Sequence, residues 1–245
     1  MASQPIYQFY TELADYKTRM WRRFQVAGNI SLARLGYIIM TLFEMQGSHL
    51  FCFDVPCGEN FRKTLLARMS EDEIKCEYDE AEFEETDHYE IIDDMADQDE
   101  DTLDATQARL SNIISLPGHS MSFSYDFGDG WEVALVFEKN IIDKALPGRE
   151  LPRVLEGEGM GIIEDCGGPG ELMEIAEACQ KKTGERYAEY CEWLGVNELD
   201  LSHFDKEDIN FRLKKLPRIF CDIYENELEP TQRSIDIIER KYMKR

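Results

Sequence analysis

A chain of 245 residues, 43% apolar and 11% aromatic, is long enough to close a hydrophobic core without disulfide or metal staples. It holds no run of about 18 apolar residues, the length a membrane helix needs, and its opening MASQPIYQFY lacks the basic and apolar regions of a secretory signal. Seven cysteines, odd in number and without a CxxC pair, argue against a disulfide framework, so a cytoplasmic protein is expected.

The formal net charge of -23 is local rather than general. From Glu71 to Asp104 there are 18 Asp or Glu and one Lys, so this stretch carries -17 and leaves -6 for the rest. Its alternating Ile74, Cys76 and Tyr78 suggest a strand, after which self-repelling carboxylates predict a solvated surface insertion over 71–104.

Residues 5–14 and 20–28 are rich in aromatic and β-branched side chains and flank the polar DYKTR, which predicts an opening hairpin. Ser31 is a candidate N-cap for a helix whose Leu32, Leu35, Ile38, Ile39, Leu42 and Phe43 recur at helical spacing up to Gly47. SHLFCFDV, 48–55, reads as a strand, and ARLSNIISLPG as a short amphipathic helix closed by Pro117 and Gly118. Cys52 and Cys57, with His49 nearby, have a spacing zinc accepts, but no second pair follows.

SYDFGDGWEVALVF, 124–137, reads as a hairpin: Phe123, Tyr125 and Phe127 share one face, and Trp131, Val133, Leu135 and Phe137 alternate after the turn. Asp129-Gly130 accepts positive φ and Gly128 relieves a further restriction, so a tight turn accounts for the glycines. Two carboxylates, Asp126 and Asp129, are left at one end of the sheet.

From 151 onward strands are expected to give way to helices. A loop with six glycines from 157 to 170 leads into a helix from about Glu171, and Gly167-Gly168-Pro169-Gly170 offers free amides that an anion could use. Further helices are predicted at 185–194, at 205–216 with Asp205 as cap, and at 231–243, where Ile235, Ile238 and Tyr242 share a face above the basic ERKYMKR. The order predicts an α+β protein with a sheet domain over 1–155 and a glycine-rich loop and helical region over 156–245, packed as one unit.

MWRRFQV, SHLFCF, YDFGDGWEV, LPRVLEGEG with EDCGGPGELMEI, EWLG and HFDKEDINFRL, in that order over about residues 6–215, resemble the plasmid pRiA4b ORF-3-like family. Members are often labelled insertion-element passenger proteins. The resemblance implies a sheet of β-grasp-like character with a core helix and a helical C-terminal part, without an established activity. The family commonly places Cys-Pro-Pro before Glu-Asp-Cys; here Gly161-Ile162-Ile163 stands there, so the first Cys is missing as a ligand.

Carrying the family's polar motif positions over gives His49, Asp126, Asp129, Trp131, Glu164, Asp165 and Cys166 as the candidate cluster. If His49, Asp126, Asp129 and Glu164 converge, they could hold a divalent cation or act as acid and base. Recombination chemistry is opposed by the acidity, since phosphate binding relies on positive charge. The basic group near the core is Lys17, Arg19, Arg22 and Arg23; Arg22 and Arg23 alternate across a strand, so one can turn inward, toward an ion pair with Glu164 or Asp165. The expected role is a non-enzymatic interaction module with a protein partner and no membrane or direct nucleic-acid contact; the alternative is a metal-assisted hydrolase-like enzyme.

Overall fold

The computed structural model describes residues 5–17, 19–92 and 101–240. The opening hairpin pairs β1 (Ile6–Leu13) with β2 (Trp21–Ala27), and its alternate aromatics, Phe9 and Phe24 among them, face the core. α1 (Leu32–Leu42) follows, with the Ser31 side chain accepting from the Arg34 amide at 3.2 Å as the cap. Every residue of α1 except Arg34 is buried. A helix apolar all round must be covered on both sides, and here β3 (Phe51–Val55) lies on one side and two later helices, α7 (Lys206–Leu213) and α8 (Leu216–Tyr224), on the other.

The remaining strands are β4 (Asp87–Glu90), β5 (Leu103–Asp104), β6 (Ser120–Tyr125), β7 (Trp131–Ile141) and β8 (Arg153–Glu158). Among the described residues they complete one eight-stranded mixed sheet in the order β5-β4-β3-β6-β7-β1-β2-β8. All neighbours are antiparallel except β4 and β5. The other helices are α2 (Cys57–Leu66), α3 (Glu71–Glu77), α4 (Leu110–Ile113), α5 (Gly168–Lys181), α6 (Glu185–Leu194) and α9 (Gln232–Ile238). Among the described residues no helix is long and apolar enough to cross a membrane. The protein is therefore of mixed α+β class, and the order β1-β2-α1-β3 and the β6–β7 hairpin follow the sequence reading.

Several expectations are corrected. Ile74, Cys76 and Tyr78 do not form a strand: Ser70 and Glu73 make a reciprocal capping box that starts α3, and carboxylates in its first turn suit the helix dipole. The acidic stretch is not all surface loop either. Its β4 lies in the sheet against β3, with Tyr89 buried opposite Phe53; residues 93–100 lie outside the described set.

Strand structure does not stop at 151, because β8 pairs with β2 and crosses the expected boundary at 155. Phe127 is 55% exposed rather than sharing the core face of Phe123 and Tyr125, because Asp126 adopts φ 52° and breaks the two-residue alternation. The positive angles of this turn fall on Asp126 and Gly130, not on Asp129 or Gly128. α8, which the reading did not foresee, begins with Pro217 in its first turn and buries Leu216 and Phe220 four residues apart. The last helix ends at Ile238; Tyr242 and the end of the basic ERKYMKR fall outside the described residues.

Candidate functional site

Three segments meet at one end of the sheet: residues 46–50 leading into β3, the β6–β7 turn, and the loop 161–167 ahead of α5. His49 Nε2 lies 3.2 Å from Asp165 Oδ1, 3.5 Å from Asp126 Oδ2 and 3.6 Å from Glu164 Oε1. One imidazole thus faces three carboxylates drawn from two loops remote in sequence. Single ligand atoms of His49, Asp126 and Asp165 all lie within 4.8 Å of one another, a spacing one metal ion can span after small rotamer changes.

The four side chains are held by different means. Asp126 Oδ1 accepts from the Gly128 amide at 3.1 Å, the ordinary use of an Asp in a turn, which leaves Oδ2 toward His49. Glu164 is almost fully buried and accepts from the Gln46 amide at 2.9 Å, from Ser48 Oγ at 2.8 Å and from the Tyr125 hydroxyl. Tyr125 in turn accepts from the Gly47 and Ser48 amides at 3.1 and 3.2 Å. Burial, then the charge of Glu164, pushes the Tyr125 hydroxyl well above its ordinary range, so it remains a donor. The His49 ring stands edge-on to Tyr125 with centroids 5.7 Å apart, and its carbonyl accepts from the Tyr224 hydroxyl of α8. Asp165 is the open side of the cluster, its side chain 73% exposed.

Asp129, Trp131 and Cys166 serve the neighbourhood differently. Asp129 Oδ2 accepts from the Gly167 amide at 3.1 Å, so the anion at the glycine-rich loop is the protein's own carboxylate. Trp131 is 1% exposed and pairs with Tyr125, forming the apolar floor beneath the turn. The buried Cys166 thiol points to the Gly168 carbonyl at 3.8 Å, and burial, with the nearby Asp129 charge, pushes it up to about 11. Ile162 and Ile163, where the family commonly has Pro-Pro, are buried.

The expected ion pair of an inward arginine with Glu164 or Asp165 does not form. Arg22 turns inward, but it donates to the carbonyls of Leu42, Trp21, Glu158 and Met160, because strand and helix ends there leave acceptors that need donors. Arg23 turns outward to Glu138 and Glu156. The zinc trio of Cys52, Cys57 and His49 is also taken apart: Cys57 Sγ donates to Glu85 O, while the buried Cys52 of β3 lies beside Asp54 and His88.

Tyr125 and Ser48 were missed as members of the site. Tyr125 was read only as an apolar position of the hairpin, although a buried tyrosine needs a partner for its hydroxyl. A pocket of ≈ 350 Å³ adjoins the cluster through Glu164 and Gln46 and is also lined by apolar Ile162, Leu194, Val196 and Leu199.

A family model described as plasmid pRiA4b ORF-3-like protein matches residues 5–212. The chain belongs to the plasmid pRiA4b ORF-3-like family. One relative is the uncharacterized protein y4hQ of Sinorhizobium fredii (strain NBRC 101917 / NGR234), 34% identical over 109 residues; the match spans 44% of this chain and 55% of that protein. Among solved structures, the protein of unknown function MM3350 from Methanosarcina mazei Go1 matches with a TM-score of 0.64 at 22% identity, covering 84% of this chain and 98% of that one. That likeness shows the fold alone.

Proposed function

We propose that the protein is a cation-dependent protein-interaction module, in which His49, Asp126 and Asp165 hold a divalent ion and Glu164 fixes the loop that presents them. The observation that carries this reading is the convergence of three carboxylates on His49 Nε2 within 3.6 Å. A mixed nitrogen and oxygen donor set suits Mn²⁺ or a similar ion. Such an ion would join the entry to β3, the β6–β7 turn and the loop before α5, so binding would order the surface there. The reading keeps a β-grasp-like sheet followed by a helical C-terminal region as scaffold, a cytoplasmic setting, and a protein partner recognised by the acidic segment or the helical tail.

Binding is preferred to catalysis because Glu164 already accepts from three donors, which suits an anchor better than a proton carrier. One observation favours the second reading, metal-assisted hydrolysis: exposed Asp165 leaves the outer side of the cluster reachable, as a catalytic ion requires.

The test is a thermal melt and calorimetric titration with Mn²⁺ of the wild type, His49→Ala and Asp126→Asn. An ion at a hundredfold excess over its Kd stabilises the folded chain by about 2.7 kcal/mol. A rise in the wild type that disappears in both variants is expected; no rise in the wild type removes the cation from the account. Turnover of a phosphoester or peptide panel, lost in His49→Ala, would shift the reading to the hydrolase.

A further inference from the structure

On the face of β3 opposite the core, four side chains of unlike chemistry occupy a two-by-two patch. The antiparallel register sets Asp54 opposite His88 and Cys52 opposite Glu90, and the two-residue period turns all four to one side. Phe53 and Tyr89, between them, turn to the core. His88 Nδ1 lies 2.6 Å from Asp54 Oδ1, and Nε2 lies 3.2 Å from Glu90 Oε1. Ligand atoms of Cys52, Asp54 and His88 lie within 4.8 Å of one another.

An ionic trio of Asp54, His88 and Glu90 would need no sulfur. The thiol at the fourth corner turns the patch into a sulfur, nitrogen and oxygen donor set, the kind that borderline transition ions prefer over Mg²⁺ or Ca²⁺. The flanking contact is also of the right kind, because a metal-bound histidine usually gives its second ring N–H to a carboxylate, here Glu90.

We propose that Cys52, Asp54 and His88 form a binding site for a zinc-class transition ion, with Glu90 orienting the histidine, and that this ion clips β4 to β3. The ion replaces the proton between His88 Nδ1 and Asp54 and the proton of the Cys52 thiol, both of which pass to solvent. Among the described residues β4 is held on its other side by the two-residue β5 alone, so a clip to β3 secures the outer part of the sheet. The site shares no residue with the His49 cluster, and each can fail without the other.

Co²⁺ titrated into the chelator-stripped full-length protein tests it, because thiolate bound to cobalt gives a near-ultraviolet charge-transfer band that oxygen and nitrogen ligands do not. The band is expected to saturate in the wild type and in His49→Ala, to vanish in Cys52→Ser and His88→Asn, and to be displaced by Zn²⁺. Asp54→Asn, which keeps size and hydrogen bonding, should weaken cobalt affinity roughly tenfold or more. A wild type without the band, a band that survives in Cys52→Ser or His88→Asn, or an Asp54→Asn protein that binds as tightly as the wild type overturns the site.

Discussion

Asp129 and Gly168 are in contact through their main chains: a Cβ on Gly168 would stand 2.4 Å from the Asp129 carbonyl oxygen. The same aspartate accepts from the Gly167 amide, so the turn of YDFGDGWE and the loop of EDCGGP are locked together by one residue. Gly168 also has φ +84°, which a side chain avoids. Gly168→Ala is therefore expected to destabilise the protein by at least about 2 kcal/mol, from left-handed strain plus displacement of the turn. Gly130, at φ +69° with open space around its Cβ position, carries the strain alone, and Gly130→Ala should cost about 1 kcal/mol. Urea denaturation of both variants gives the comparison, and equal losses would mean that the two motifs are not in contact.

Arg22 is the other tie between distant segments. Its guanidinium lies between the rings of Phe43 and Phe204, at 5.1 and 4.8 Å, and donates to carbonyls on β2, at the end of α1, and at and just beyond the end of β8. Burial lowers its pKa to about 10, with the Glu44 charge opposing, so it stays cationic at neutral pH. Lysine keeps the charge but lacks the planar fork that reaches these acceptors. Arg22→Lys is expected to cost about 2–4 kcal/mol, since a buried carbonyl left unpaired costs roughly 1–3 kcal/mol. A melt within a degree or so of the wild type would show that the carbonyls find other partners.

What the sequence disclosed follows from how local each signal is. α1 and the two hairpins were legible because Ser31, the period of Leu32 to Leu42 and the alternation of Trp131 to Phe137 act within a few residues. β4 was hidden because Asp87, His88 and Glu90 read as part of the charged tract, although Tyr89 between them is a core residue. The gathering of His49 with Glu164 and Asp165 depends on contact across more than a hundred residues, and only the family motifs pointed to it. That one of Arg22 and Arg23 can turn inward was legible, but not that it is Arg22, nor that its partners are carbonyls, which no side-chain pattern announces.

On the outer face of the sheet, Glu138 accepts from Arg23 at 2.7–2.9 Å and from Gln8 at 2.8 Å. Partial burial works to raise the Glu138 carboxyl, but the hydrogen bonds from Arg23 and Gln8 and the Arg23 charge outweigh it and hold the pKa below its ordinary value. A folded-state pKa below the unfolded one contributes stability that is present above the unfolded value, about 4.3, and is lost as pH falls through the lower folded value. Glu138→Gln should lose about 1 kcal/mol near neutral pH, with the gap to the wild type closing below pH ~4. Denaturant melts at neutral and acid pH read this directly, and a gap that does not change with pH would assign the loss to packing.

The acidic segment supplies the sharpest test of the sheet. Read as an insertion, residues 80–102 should be removable at little cost, because shortening a surface loop changes closure entropy only slowly. The fold argues otherwise: this deletion removes β4, strips Tyr89 from the core and leaves β3 as an exposed edge. Tyr89→Ala alone should cost about 3 kcal/mol, the range for truncating a large buried aromatic. Replacing the exposed Glu80 and Glu84 by Gln should stay within about 0.5 kcal/mol, as for surface changes outside the core that leave the backbone as it is. The full deletion should therefore lower the melting temperature far more than the charge substitutions, and by more than Tyr89→Ala. Thermal melts of the three proteins decide the matter: a deletion variant that unfolds cooperatively at the wild-type temperature would return the whole segment to the status of a dispensable insertion.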